Sequence, residues 1–412
     1  DAAAGEHAML NLDAIQSLAC GGLFLLVGYA IRKRVPLLAR FSIPAPVIGG
    51  LLVALALLAC RQWEVTPVRF DTTFKQPLMI AFFTAIGFNA STSLLRIGGR
   101  QLLLFLGLAS GLAVVQNLVG IGLATAFGLP PLFGVITGSV TLTGGPATGM
   151  AFAPVFAEAG VHGAASVALA NAMAGIVLGS VIGAPVATML IERLKLRTPT
   201  GSPHAAATVT VTLADEPPAG APRVEEAAYS GLRNFVWRLL AMGLGAWISG
   251  GLGQLGLTLP AYIGAMLVGA LIRNIDDRHG WFGLSMPTID VIGNTCLSLF
   301  LVMALMDLHL WELSGLALPL LVNLGVQSLI VVAFCCWPLL QLMGRDYDAA
   351  VMASGFIGFM LGTTANAMAV MSSLTERFGP APRAFLVAPI VGAFLIDFTN
   401  AIVITFFING WK

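Results

Sequence analysis

The chain consists largely of apolar runs of about 20 residues that follow one another from end to end. Ten of these runs could each cross a membrane, and they lie at about 13–31, 45–60, 76–94, 101–127, 164–190, 233–256, 260–273, 291–306, 315–343 and 382–409. The runs are continuous and do not alternate with polar residues, so they indicate helices and not a β-barrel. Because only 10% of the residues are charged, against about 25% in soluble domains, we predict an all-α polytopic membrane protein with ten transmembrane helices.

Two further apolar stretches, at about 131–157 and 348–374, are interrupted by glycine, proline and threonine. The interruptions read LTGGPATGM at 142–150 and LGTTANAM at 361–368. We interpret both stretches as re-entrant hairpins of two short helices each, because irregular backbone is tolerated at membrane depth only where protein or a polar cavity covers it. The alternative is a pair of kinked spans that pack through small residues.

The chain divides into two similar halves around a hydrophilic linker at 192–232, which is rich in Pro, Ala, Thr and Glu. Each half, 9–191 and 233–412, holds five spans and one interrupted stretch in the same order. Sliding the halves over each other pairs three sets of glycines: Gly138 with Gly355, Gly145 with Gly362, and Gly175 with Gly392. We predict an internal duplication, and an odd number of spans in each repeat inverts the second copy in the membrane.

The basic residues predict the orientation. If the N-terminus is outside, every Lys and Arg except Arg61, Arg69, Lys75 and Lys412 falls on the inner side. Such asymmetry follows the positive-inside rule, so we expect both termini outside, the linker inside, and hairpins that enter from opposite faces. The first eight residues, DAAAGEHA, lack the basic and apolar regions of a signal peptide, and we interpret them as a vector-derived remnant.

The two predicted hairpin tips present main-chain N–H groups at the start of a helix, where the helix dipole adds positive character. Such a site binds a carboxylate without an arginine. The candidate binding residues are Thr143, Gly144, Gly145, Thr148 and Gly149 in the first tip and Gly362, Thr363, Thr364 and Asn366 in the second. Gln116 and Asn117 flank the first hairpin, and they either form interhelical hydrogen bonds or line the solute path.

One acidic residue, Asp397, lies near the middle of a predicted span. An ionisable group at that depth usually faces a cavity, a partner or an ion. Asn400 follows three residues later on the same helix face, and carboxylate and amide oxygens suit a hard cation such as Na⁺. We therefore predict a sodium site at Asp397 and Asn400, with Asn171 as a third candidate ligand. A purely structural aspartate and proton coupling through the same carboxylate remain alternatives.

Other classes of protein are not indicated. The sequence has no H-E-x-x-H motif, and TGGPATG lacks the lysine of a phosphate-binding loop. No nucleophile with a matching base occurs at membrane depth, and the five cysteines have no metal-type spacing. A net charge of +1 does not suggest a nucleic-acid partner. An enzyme and an ATP-driven pump are thus disfavoured.

Several long blocks resemble the sodium/glutamate symporters of bacterial inner membranes. The blocks are IPAPVIGGLLVALALL from Ile43, PLMIAFFTAIGFNA from Pro77, VVQNLVGIG from Val114, LSLFLVMALMDLHLWELSGLALPLL from Leu297, and the stretch from Arg345 to Ile404 that contains LGTTANAM and LIDFTNAIVI. The resemblance implies Na⁺-coupled uptake of glutamate by a homodimer that works by an elevator-type movement, with ten spans, two opposed hairpins, and substrate and ions held near the tips.

The sequence departs from that family at both tips. The family's first tip usually reads S-G-G-H-G-T-G, whereas this chain has T-G-G-P-A-T-G; its second tip commonly has T-P-T, whereas this chain has Thr364, Ala365 and Asn366. The main-chain amides are unaffected by these changes. Transport of another small carboxylate, with proton coupling, therefore stays open as the alternative function.

Overall fold

The computed structural model describes residues 10–62, 68–196, 224–254, 260–313 and 315–411. Within these ranges the chain is almost entirely helical, apart from a parallel pair of two-residue strands, β1 (Leu10–Asn11) and β2 (Val68–Arg69). The predicted remnant at 1–8 and most of the predicted linker lie outside the described residues. Helix α9 begins at Val224, inside the segment predicted as linker, because its first residues are the good helix formers Glu and Ala.

The helices follow one another with short connections. In chain order they are α1 (Ala14–Arg34), α2 (Pro36–Arg40), α3 (Ala45–Gln62), α4 (Lys75–Asn89), α5 (Thr92–Ala126), α6 (Pro131–Val135), α7 (Gly145–Glu158), α8 (Ala164–Arg193), α9 (Val224–Gln254), α10 (Ala261–His279), α11 (Met286–Met306), α12 (Ala317–Phe334), α13 (Leu340–Leu342), α14 (Tyr347–Met360), α15 (Thr364–Phe378), α16 (Pro382–Ile390) and α17 (Ile396–Gly410). A 3₁₀ turn lies at Leu310–Leu313, and π-helical turns lie at Ile136–Val140, Cys335–Leu339 and Val391–Leu395.

Six helices of the described chain are long and apolar enough to cross a membrane. They are Ala14–Arg34, Gly99–Ala126, Ala164–Arg193, Tyr229–Leu252, Met286–Met306 and Ala317–Leu342. Helices α16 and α17 form a seventh candidate that bends by 41° between its two parts. The π-helical turn Val391–Leu395 lies at the bend, and Pro389 lies in the turn of helix before it. The predicted spans at 45–60, 76–94 and 260–273 also contain helices, but these are shorter or more polar than the six. The count of ten transmembrane helices therefore stays a prediction.

The predicted span at 76–94 ends earlier in the structure. Helix α4 stops at Asn89, and Ser91 caps the start of α5 by accepting a hydrogen bond from the main-chain N–H of Ser93 at 3.1 Å. The chain therefore turns at the polar residues between the two apolar runs, as an N-cap serine favours.

The helices pack into two groups. The α1 group contains α1, α3, α4, α9, α10 and α11, and the α8 group contains α5 to α8, α12 and α14 to α17. Backbones inside each group approach closely through glycines: a Cβ on Gly87 would lie 2.1 Å from the carbonyl oxygen of Met266, and a Cβ on Gly175 would lie 2.4 Å from that of Leu361. The two groups meet through apolar side chains of one shared buried cluster, in which the rings of Phe152 and Tyr262 lie 5.2 Å apart.

Neither interrupted stretch is one continuous helix. The first consists of α6 with its π-helical turn, a break, and α7; the second consists of α14, a break, and α15. At the second break the chain doubles back, since a Cβ on Gly358 would lie 2.6 Å from Cα of Ala367. At the first, a Cβ on Gly149 would lie 3.0 Å from Cγ2 of Thr141. Each break thus brings the start of one helix beside the end of the other.

Candidate functional site

A cavity of about 470 Å³ lies between the two helix groups, in the size range of small-molecule sites. The α8 group contributes Thr143, Gly144, Pro146, Ala147, Phe359, Gly362, Thr363, Thr364, Gly392 and Asp397 to its wall. The α1 group and the turn before α3 contribute Tyr29, Arg32, Pro44, Ala45, Pro46, Asn294, Leu297, Ser298 and Leu301. Both breaks and the one mid-run aspartate therefore meet in a single cavity.

Two helix N-termini converge on this cavity. Helix α7 begins at Gly145 and α15 begins at Thr364, after the N-cap residue Thr363. A Cβ on Gly145 would lie 3.3 Å from the carbonyl oxygen of Gly362, so the two breaks are in direct contact. Because the first N–H groups of a helix have no partner within it, and the helix dipole is positive there, this arrangement can bind a carboxylate.

Gln116 links the two breaks from behind the cavity. Its Nε2 donates to the main-chain oxygen of Met360 at 3.1 Å, and its Oε1 accepts a hydrogen bond from Thr143 Oγ1 at 2.7 Å. The side chain is fully buried and is not part of the cavity wall. Of the two roles left open by the sequence, Gln116 thus has the hydrogen-bonding one.

Three asparagines hold the irregular backbone of the π-helical turn at Ile136–Val140. Asn117 Oδ1 accepts a hydrogen bond from the N–H of Ser139 at 2.9 Å, and Asn400 Nδ2 donates to the carbonyl oxygen of Ser139 at 3.0 Å. Asn171 Nδ2 donates to the carbonyl oxygen of Thr137 at 2.9 Å. All three are buried, and they satisfy peptide groups that a regular helix would pair internally.

Several oxygen atoms around this turn have no hydrogen-bond partner in the described part of the chain. They are Oδ1 of Asn171, Oδ1 of Asn400 and Oγ of Ser139. An unpaired buried polar atom is costly, and a cluster of such oxygens is a set of ligands for a hard cation.

Asp397 lies in the cavity wall, directly after the π-helical turn Val391–Leu395. It is half-buried, and among the described residues its carboxylate has no hydrogen bond or ion pair. Asn400 does not line the same cavity, because its side chain is bonded to Ser139 instead. The two residues of the predicted sodium pair thus face different surroundings.

The remaining predicted binding residues divide into two sets. Thr143, Gly144, Gly362, Thr363 and Thr364 line the cavity. Gly145, Thr148, Gly149, Asn366 and Asn117 are not among its lining residues. Asn366, for example, donates to the carbonyl oxygen of Ile176 at 2.7 Å and accepts a hydrogen bond from Ser180 Oγ at 2.5 Å. This second set supports the tips and does not form the wall.

Sequence reasoning missed the side of the cavity that the α1 group provides. Asn294 and Ser298 are four residues apart on α11, a spacing that places them on one helix face and could have marked them as wall residues. Arg32 lies in the basic last turn of α1, where the positive-inside rule already accounts for a positive charge. Nothing in the local sequence distinguishes it from its basic neighbours.

Comparisons with known proteins identify one family. The model of the family described as Sodium/glutamate symporter matches residues 10–380. The chain is similar to the sodium/glutamate symporter of Escherichia coli (strain K12), with 41% identity over 97% of this chain and 98% of the relative. It is 38% identical to the sodium/glutamate symporter of Haemophilus influenzae, over 95% of this chain and 96% of that one. The chain therefore belongs to the sodium/glutamate symporter family.

Proposed function

We propose that the protein is a Na⁺-coupled secondary transporter that takes up L-glutamate across the bacterial inner membrane by alternating access. The observation that carries this proposal is the convergence of two helix N-termini and Asp397 on one cavity between two helix groups. The coupling ion and the substrate in this proposal come from the relatives, which are named sodium/glutamate symporters. The cavity supplies the place where an anion and a cation can be bound together.

The substrate carboxylate binds at the starts of α7 and α15 in this proposal. The main-chain amides at the starts of these helices are the donors there, because the hydroxyls of Thr143 and Thr364 already donate to Gln116 Oε1 and to the carbonyl oxygen of Gly392. The unpaired carboxylate of Asp397 would repel an incoming anion across the same cavity, because like charges at short range disfavour each other's ionised forms. A bound Na⁺ removes this repulsion, so we expect sodium to bind before glutamate.

Two places can hold sodium. Asp397 offers a carboxylate at the cavity itself, and the unpartnered oxygens of Asn171 and Asn400 offer ligands behind the first break. Irregular helix segments in transporters often provide such ion ligands. In the alternative, proton-coupled mechanism, a proton instead of Na⁺ neutralises the carboxylate of Asp397.

The proposed topology has ten transmembrane helices and two re-entrant hairpins that enter from opposite faces, in two inverted repeats at 9–191 and 233–412. The doubled-back chain at Gly358 and Ala367 supports the hairpin in the second repeat. The distribution of basic residues supports a cytoplasmic linker at 192–232 and two periplasmic termini.

The movement that exposes the cavity to each side is a displacement of the α8 group against the α1 group. Close glycine contacts inside each group favour rigid bodies, and the apolar side chains through which the groups pack against each other make non-directional contacts, which permit a small sliding movement. We propose that the α1 group stays static in the bilayer and forms the contact of a homodimer, as the family resemblance implies.

Uptake of labelled glutamate into sealed proteoliposomes tests this function. An inward Na⁺ gradient should drive accumulation, and replacing Na⁺ by K⁺ should abolish it. A proton gradient imposed without Na⁺ separates the proton-coupled alternative, and competition by aspartate and by simple dicarboxylates measures the substrate range. Accumulation that needs only the proton gradient would contradict the sodium coupling, and passive equilibration without accumulation would contradict a symporter.

A further inference from the structure

Arg32 is the basic residue of the cavity wall. Among the described residues that line the cavity, Arg32 and Asp397 are the charged ones, and they come from different helix groups. Arg32 belongs to α1 of the α1 group, whereas Asp397 and both breaks belong to the α8 group. The positive charge of the site is therefore contributed by the α1 group, whereas the tips belong to the α8 group.

The packing of α1 fixes this position. A Cβ on Gly28 would lie 2.2 Å from the carbonyl oxygen of Ala45, so α1 and α3 touch backbone to backbone there. Arg32 is four residues further along, on the same helix face, and so it lies beside the start of α3. Pro44 and Pro46, at that start, line the same cavity. The backbone of α1 at Arg32 is thus held beside the cavity by a close helix contact, and the Arg32 side chain forms part of the cavity wall.

The guanidinium of Arg32 has no partner in the part of the chain that the structure describes. It is half-buried and forms no hydrogen bond or ion pair there, whereas the adjacent Lys33 and Arg34 are exposed. A partly buried cation gains most from a charge-assisted bond, and the planar guanidinium matches a carboxylate with two parallel hydrogen bonds. Of the basic residues in this turn, Arg32 is the one placed to bind an anion in the cavity.

We propose that Arg32 binds a carboxylate of the amino-acid substrate only while the cavity is open at the Arg32 end of α1. The inference rests on the proposed function, because it requires the α8 group to move against the α1 group. When the tips move away, the substrate moves with them and Arg32 stays behind. Arg32 therefore sets the substrate affinity at one face of the membrane and not at the other.

The test measures the KM for glutamate from each face separately, in right-side-out and inside-out membrane vesicles with a Na⁺ gradient. In Arg32→Gln we expect the KM to rise at least about tenfold from the face at the Arg32 end, as for loss of a charge-assisted hydrogen bond, and to change less than about twofold from the other face. Arg32→Lys, which keeps the charge, should restore part of the affinity.

Arg34→Gln is the matched control, since it removes the same charge from the same turn at an exposed position. It should leave both KM values unchanged. Equal KM values for Arg32→Gln and Arg34→Gln, or a rise of equal size at both faces, would overturn the inference. Absence of Na⁺-driven glutamate transport in the unmodified protein would instead overturn the proposed function, so the two failures are distinct. Protein in the membrane is quantified for each variant.

Discussion

Gln116 donates a hydrogen bond from Nε2 to the main-chain oxygen of Met360 at 3.1 Å, across 244 residues of sequence. Met360 is the last residue of α14, and its carbonyl has no partner within the helix at such an end. Since Oε1 of Gln116 also accepts a hydrogen bond from the hydroxyl of Thr143 at 2.7 Å, one side chain connects the two breaks. The relative position of the tips depends on this link.

Replacing Gln116 by leucine should weaken glutamate binding and lower thermal stability together. The change leaves the buried hydroxyl of Thr143 and the carbonyl of Met360 without a partner, at a cost of about 1–3 kcal/mol for each group. We expect the KM to rise at least about tenfold and the melting temperature in detergent to fall. Gln341→Leu, at an exposed position, is the control and should change neither quantity. A normal KM in Gln116→Leu would show that the link does not position the tips.

Replacing Gly145 by alanine should displace the two tips relative to each other by a few tenths of an ångström. Gly145 has φ of +65°, a conformation that costs other residues about 1 kcal/mol or more, and its Cβ would lie 3.3 Å from the carbonyl oxygen of Gly362. Gly128→Ala is a matched control, because φ is +70° there and no atom lies within 4 Å of the added Cβ. Both variants bear the backbone strain, but only Gly145→Ala also shifts the tips, so we expect its initial rate of uptake to fall several-fold while that of Gly128→Ala stays near normal. Equal rates in the two variants would show that transport does not depend on the contact between Gly145 and Gly362.

The positions of the breaks could be predicted from the sequence. Residues 142–150 hold glycines and a proline within an apolar stretch, and such backbone needs a covered or polar environment inside a membrane. Asp397 was predictable for a related reason, since an ionisable side chain within an apolar run is costly unless it faces a cavity. In both cases the local sequence conflicts with its surroundings, and that conflict marks the site.

The partners of these residues could not be predicted. The hydrogen bond from Gln116 to Met360 joins distant parts of the chain, and no local pattern encodes it. Spacing alone also does not place Asn400: residues three apart differ by about 60° around a helix, so Asn400 Nδ2 donates to the carbonyl oxygen of Ser139 while Asp397 lines the cavity. Arg32 has the same sequence context as any basic residue at the end of a span.

Replacing Asp397 by asparagine should abolish Na⁺-driven accumulation of glutamate. The change removes the unpaired negative charge of the cavity while keeping the size of the side chain, so sodium loses an anionic ligand. Uptake against a set Na⁺ gradient measures the effect. Glu376→Gln, which removes an exposed charge from α15, should behave like the unmodified protein. Unchanged Na⁺ dependence in Asp397→Asn would exclude Asp397 as the coupling residue.

Alanine variants of Asn171 and Asn323 distinguish a sodium-binding role from a purely structural hydrogen bond. Both side chains donate a hydrogen bond from Nδ2 to the carbonyl oxygen of Thr137, at 2.9 Å from Asn171 and 2.8 Å from Asn323. They differ at Oδ1. In Asn323 this atom accepts a hydrogen bond from Gln327, whereas in Asn171 it has no partner among the described residues. Alanine at either position removes the bond to Thr137. Asn171→Ala also removes the bond from Nδ2 to Thr141 Oγ1 at 2.8 Å and an oxygen that is free to bind a cation. Thr141→Val, which removes the Thr141 bond and keeps Asn171 Oδ1, separates these two losses and should leave the Na⁺ dependence near normal. We therefore expect the Na⁺ concentration for half-maximal uptake to rise several-fold in Asn171→Ala and to stay near normal in Asn323→Ala, with transport measured at saturating glutamate. An equal rise in both variants would mean that the hydrogen bonds to Thr137, and not a bound sodium, account for the effect.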